Sequence, residues 1–176
     1  MKLLSRSHLI AVAVTAIMAV GVGAALANTQ GHRPPNGAGR HGFHGPCSPA
    51  HVQRNKANVV AYYTTAFNDK NPELAVQKYG GAMYIQHNPQ AADGFDAFIA
   101  FVNSFTQKFP QLHVDIKRVI GECNMVVTHS HITTSPDDRG SAVADFFRLD
   151  RRGKVVEHWD VIQAVPETSA NDNTMF

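Results

Sequence analysis

Between Val52 and Phe67, the positions Val52, Lys56, Val59, Val60, Tyr63, Ala66 and Phe67 return at three- and four-residue steps, which predicts a helix with one buried stripe ending near Asn68-Asp69-Lys70. Asn71 then reads as the cap of a second, shorter helix, with Pro72 at its first position, Glu73 in the first turn and Gly80-Gly81 stopping it after Tyr79. Met83-Tyr84-Ile85-Gln86-His87 is short and β-prone, and Asn88-Pro89 ends it. Asp93 is expected to cap a third helix with the apolar stripe Phe95, Phe98, Ile99, Val102, Phe105 and Phe109, closed by Pro110.

Beyond Pro110 the period changes from helical to alternating. Leu112, Val114 and Ile116 alternate with polar neighbours; Met125, Val127, His129, His131 and Thr133 share one face of the next segment; Ser141 to Leu149 and Val155 to Gln163 complete four consecutive strands. Turn-rich stretches at 121–124, 135–140 and 150–153 separate them, which predicts a meandering antiparallel sheet. Helices first and strands last make an α+β fold, with helices on one face of a sheet whose twist can curl it into a half-open cone.

Several polar residues break this pattern. Ser141, Val143, Asp145, Phe147 and Leu149 share one face of the third late strand, so Asp145 carries a carboxylate into apolar surroundings. On the last strand, His158 and Asp160 share a face with Val156 and Ile162. If the strands pair in sequence order, one sheet surface is expected to gather His129, His131, Asp145, His158 and Asp160 in a largely apolar lining. Such groups can titrate near neutrality, which general acid–base catalysis requires. His129 and His131 could instead ligate a metal, but no tetrahedral or octahedral set is evident around them, so no metal or other cofactor is expected. Trp159 points opposite to Asp160 and is expected to pack under the helices unless a bulge turns it toward substrate.

Length and composition add the boundaries. With 176 residues, 44% of them hydrophobic, the chain supports one domain with a real core plus appendages. Lys2 and Arg6, the apolar run Leu9 to Ala24 and the small-residue site Ala25-Leu26-Ala27 read as a signal peptide over residues 1–27, directing the chain to a periplasm or beyond. Residues 28–50, rich in Gly, Pro and His, read as a disordered linker; the domain proper spans 51–165, and 166–176 is a polar, flexible tail. His32, His41, His44 and Cys47 match no compact metal spacing. In an oxidising compartment Cys47 and Cys123, the only two cysteines, can form a disulfide. A formal charge of +2, partly owed to the leader, argues against a nucleic-acid partner, and no membrane association is expected after cleavage.

Tyr84-Ile85-Gln86-His87-Asn88-Pro89, Asp145-Phe146-Phe147-Arg148 and Gly153-Lys154-Val155-Val156-Glu157-His158-Trp159-Asp160 resemble the SnoaL-like polyketide cyclases of the nuclear-transport-factor-like superfamily, over roughly residues 52–165. The resemblance implies a cone-shaped α+β barrel, homodimers and cofactor-free aldol chemistry in which Asp160 matches the acid–base aspartate. Asp145 matches a position often occupied by His in those cyclases, so this chain sets a second carboxylate opposite the first. Asn88 best matches an early-strand Asn, with Gln86 or His87 as alternatives if the short strand shifts. The expectation is a secreted acid–base enzyme for a small apolar carbonyl compound, with Asp160, Asp145 and His131 catalytic and His129, His158, His87, Asn88, Tyr84 and Trp159 as substrate contacts. A plain small-ligand carrier of the same fold is the rival.

Overall fold

The computed structural model describes residues 47–176. The expected leader and nearly all of the expected linker lie outside the described residues. Ser48 accepts a hydrogen bond from the His51 backbone N–H and caps α1 (Pro49–Tyr63), so the first helix starts three residues before Val52. A π-helical turn, Thr64–Asn68, continues it. Asn71 caps α2 (Pro72–Tyr79) as its sequence predicts, and β1 (Gly80–Gln86) follows directly. The cap of α3 (Phe95–Lys108) is Gly94, at φ 93°, and not Asp93. The Asp93 carboxylate instead accepts from the Gln86 backbone N–H at 2.7 Å, tying the end of β1 to the start of α3.

The strands β2 (His113–Glu122), β3 (Met125–Thr133), β4 (Ser141–Leu149) and β5 (Val155–Ala164) form the expected antiparallel meander. The sheet is mixed, however. Its order is β1-β5-β4-β3-β2, and β1 runs parallel to β5. A hairpin can join only antiparallel neighbours; β1 reaches β5 after α3 and three other strands have intervened, so its direction is free of turn geometry.

One sheet face packs on the helices. Val59, Tyr62 and Phe67 from the first helical segment meet Phe98 and Val102 of α3 and Val114, Val126, Phe147 and Leu149 of the sheet in one core. Tyr62 stacks on Phe98 with ring centroids 5.1 Å apart and meets the edge of Phe147 at 6.5 Å. Cys47 is bonded to Cys123 in the β2–β3 turn, across 76 residues of sequence. Closing a loop of that size removes about 4 kcal/mol of unfolded-state chain entropy. Among the described residues, no helix is long and apolar enough to cross a membrane.

Candidate active site

Two adjacent cross-strand rows on the helix-covered face bring the candidate acid–base groups together. In one, Thr128, Asp145 and Asp160 are successive partners across β3, β4 and β5. In the next, Val126, Phe147, His158 and Gln86 run from β3 to β1. Directly paired residues project to the same side, so the carboxylates of Asp145 and Asp160 face one another's neighbourhood.

Asp145 is 2% exposed, and its charge is met by fixed donors. Tyr63, at the end of α1, donates its hydroxyl to Oδ1 at 2.7 Å, and Thr128 donates to Oδ2 at 3.1 Å. His158 places Nε2 3.2 Å from the same Oδ1. Burial and the neighbouring Asp145 both push the Tyr63 phenol well above its ordinary range, so it remains a donor. Tyr84 is likewise pushed upward by burial first and then by the two aspartates, and its ring stacks near His158 at 6.3 Å.

Asp160 lies in a different setting. It is only half-buried, and its two oxygens accept from a single nitrogen, Asn88 Nδ2, at 2.9 and 2.8 Å. The Asn88 amide cannot turn over cheaply, because its Oδ1 already accepts from the Gln90 backbone N–H at 2.8 Å. Asp145 is thus enclosed, and Asp160 is the more open of the two carboxylates.

His129 and His131 are not part of this cluster. Even-numbered positions of β3 pair with odd-numbered positions of β4, so His129 pairs with Ala144 and His131 with Ala142, on the face away from the helices. There His129 meets Arg118 at 2.5 Å, His131 meets the Arg139 carbonyl at 2.8 Å, and Phe176 lies against both rings. Trp159 also faces outward, not under the helices: it pairs with Phe146 and stacks on His87, with centroids 4.5 Å apart and an interplanar angle of 6°. His87 in turn bonds Glu157 at 2.8 Å, and Arg148 pairs with the other oxygen of Glu157. Burial alone would raise the Glu157 carboxyl, but His87 and Arg148 hold it below the usual range. Tyr63 and Thr128 are the site residues that the sequence left without a role, and Gln86, there only an alternative match to the early-strand Asn, joins them beside His158.

Asp145, His158 and Asp160 offer ligand atoms within 4.8 Å of one another, a spacing that could bracket a cation. Yet Tyr63, Thr128 and the locked amide of Asn88 already aim hydrogens at those carboxylates. This donor set fits a hydrogen-bonded acid–base cluster better than a cation. A separate open groove of about 600 Å³ runs along α1 and β2, lined by residues such as Lys56, Ala57, Val60, Ala61 and Val119. It holds no carboxylate or imidazole, so it supplies no acid–base group.

A model of the SnoaL-like domain matches residues 43–158, most of the chain and nearly all of this architecture. The chain belongs to the SnoaL-like family. Among solved structures, this SnoaL-like protein is similar to a candidate SnoaL-like polyketide cyclase from Jannaschia sp. CCS1, at TM-score 0.54 and 21% identity over 65% of this chain and 88% of that one. It is also similar to a candidate ketosteroid isomerase from Kribbella flavida DSM 17836, at TM-score 0.54 and 13% identity over 71% and 89% of the two chains. A candidate isomerase of the SnoaL-like family from Agrobacterium tumefaciens C58 aligns at TM-score 0.50 and 16% identity, over 65% of this chain and 99% of that one. At such identities the likeness is one of fold. No functionally curated protein matches the chain.

Proposed function

We propose that this SnoaL-like protein is a cofactor-independent acid–base enzyme acting on a small apolar carbonyl compound, with Asp160 as the base. The observation that carries the reading is the unequal treatment of two directly paired aspartates: Asp145 is saturated by Tyr63, Thr128 and His158, whereas Asp160 is half-buried and held from one side. Paired carboxylates in different environments take different roles.

In the proposed step, an Asp160 oxygen takes a proton from the carbon next to the carbonyl, and the electron pair of that C–H bond moves to the carbonyl oxygen as an enolate. One Asn88 N–H shared between the two Asp160 oxygens leaves its second N–H for the enolate oxygen. Return of the proton to another carbon gives isomerisation; attack of the enolate carbon on a second carbonyl gives aldol-type ring closure.

The first test needs no natural substrate. Small cyclic ketones and 1,3-dicarbonyls in D2O should gain deuterium at the α-carbon faster with the protein than with buffer, read by proton NMR. Saturable binding with no exchange in any member of the panel would favour the plain carrier instead.

The partner we propose is a second copy of the chain. Ile120, Val127, Phe146 and Trp159 form one apolar row across the outward face, where Ile120 is 63% and neighbouring Val161 66% exposed. Phe146→Asp should turn a dimer into a monomer in sedimentation; a wild-type monomer at tens of micromolar by the same measurement ends the idea. Export is also part of the reading, supported by the Cys47–Cys123 bond, and predicts a mature protein beginning at Asn28 by N-terminal sequencing rather than at Met1.

A further inference from the structure

The hydrogen-bond donors around His158 determine where its protons sit. The Asn88 backbone N–H lies 3.0 Å from the terminal Gln86 atom that faces it. A backbone N–H can only donate, so that atom is the carbonyl oxygen Oε1, whichever way the amide might otherwise be turned. The same Oε1 lies 3.0 Å from His158 Nδ1. An oxygen with no hydrogen of its own can only accept, so Nδ1 carries a proton.

A neutral imidazole protonated at Nδ1 has a bare lone pair at Nε2. That lone pair points at Asp145 Oδ1, 3.2 Å away, in a site where His158 is 4% and Asp145 2% exposed. Two lone pairs facing each other without water is a costly arrangement. Tyr63 does not relieve it. Its hydroxyl is 3.2 Å from Nε2 but 2.7 Å from Oδ1, and its single proton goes to the closer acceptor.

We infer that Gln86 is a positioning residue that fixes His158 in the Nδ1–H form, so that the buried His158–Asp145 pair holds one extra proton between Nε2 and Oδ1 in the resting protein. Formally the pair is an imidazolium with a carboxylate or an imidazole with a carboxylic acid; in either form it is neutral. The groups that face it are Tyr63 from α1, Tyr84 and Gln86 from β1, Thr128 from β3, Phe147 from β4 and Asp160 from β5. Among these, Asp160 alone is left with a full negative charge.

The catalytic consequence rests on the proposed role of Asp160. Without Gln86, His158 can take the Nε2–H form and donate directly to an Asp145 carboxylate. The extra proton is then no longer required, the pair becomes anionic, and Asp160 gains a negative neighbour within 4.8 Å.

The test is nitrogen-15 NMR of the imidazoles in the free, full-length mature protein at neutral pH, with His158 assigned by His158→Gln. In the wild type, His158 should show a protonated Nδ1 and an Nε2 shift between those of bare and fully protonated nitrogen. Gln86→Leu should convert it to a neutral ring with Nε2 protonated and Nδ1 bare, whereas Gln86→Glu, which keeps an acceptor, should keep Nδ1 protonated. A wild-type His158 with a bare Nδ1 overturns the inference even if neither variant folds. An unchanged tautomer in folded Gln86→Leu overturns the positioning role. Because no substrate is present, these outcomes are independent of whether Asp160 is a base; absence of α-proton exchange beside the expected His158 signature would count against the base alone.

Discussion

Replacing Asp160 with Asn should abolish α-proton exchange, lowering kcat by about a thousandfold or more while changing KM by no more than a few-fold. The amide has the shape of the carboxylate but is no base at neutral pH. Its carbonyl oxygen can still accept from Asn88 Nδ2, which now touches both carboxylate oxygens, so the contact between the two residues keeps its geometry. The Asp145 cluster lies behind and keeps its own donors from Tyr63 and Thr128. An effect on kcat with an unchanged melting temperature therefore isolates chemistry from folding, and a variant that retains full turnover would remove Asp160 from the mechanism.

The largest effect on stability should come from Asp145→Ala, at about 3–5 kcal/mol. That substitution strips a fully buried acceptor from three partners at once: the hydroxyls of Tyr63 and Thr128, and His158, whose Nε2 is left facing a void. Tyr63→Phe removes one donor and leaves Thr128 in place, so its cost should be about 1–3 kcal/mol. Urea denaturation reads both. An Asp145→Ala protein within about 1 kcal/mol of wild type would mean that the buried network is far weaker than its geometry implies. The two variants share partners, so their effects should add poorly.

Much of this architecture is legible in the pattern of apolar residues. The three helices, the early strand and the four late strands all follow from period and turn chemistry, because each depends on neighbours within a few residues. The family resemblance rests on stretches whose alternate residues do sit together: Gln86, Asn88, Asp145, His158 and Asp160 converge on one face, while His87 and Trp159 stack on the other.

What stayed hidden depends on long-range geometry. Strand order alone puts His129 and His131 beside Asp145, but face depends on register, and a shift of one residue in the Thr134–Gly140 connection would exchange the faces of β3 against β4. That connection folds on itself through Asp138, which accepts from Thr134 and from the Gly140 N–H, a local arrangement with no periodic signal. The parallel pairing of β1 with β5 was hidden for a similar reason, since no tight turn links them. Tyr63 is a different case. It stood on the buried stripe of α1, and a buried phenol needs a hydrogen-bond partner, so a search for an acceptor opposite that stripe would have led to Asp145. Thr128, between Val127 and His129, carried no comparable signal.

The central claim is that a carbonyl compound is deprotonated at Asp160. A crystal structure of the protein with a planar enolate mimic, such as a small substituted phenol, tests it most directly. The mimic should sit beside Asp160 and Asn88, with its oxygen within about 3.2 Å of Asn88 Nδ2 and its ring edge against the Asp160 carboxylate. A mimic seated only in the groove beside Lys56 and Val119, with Asp160 and Asn88 untouched, would contradict it.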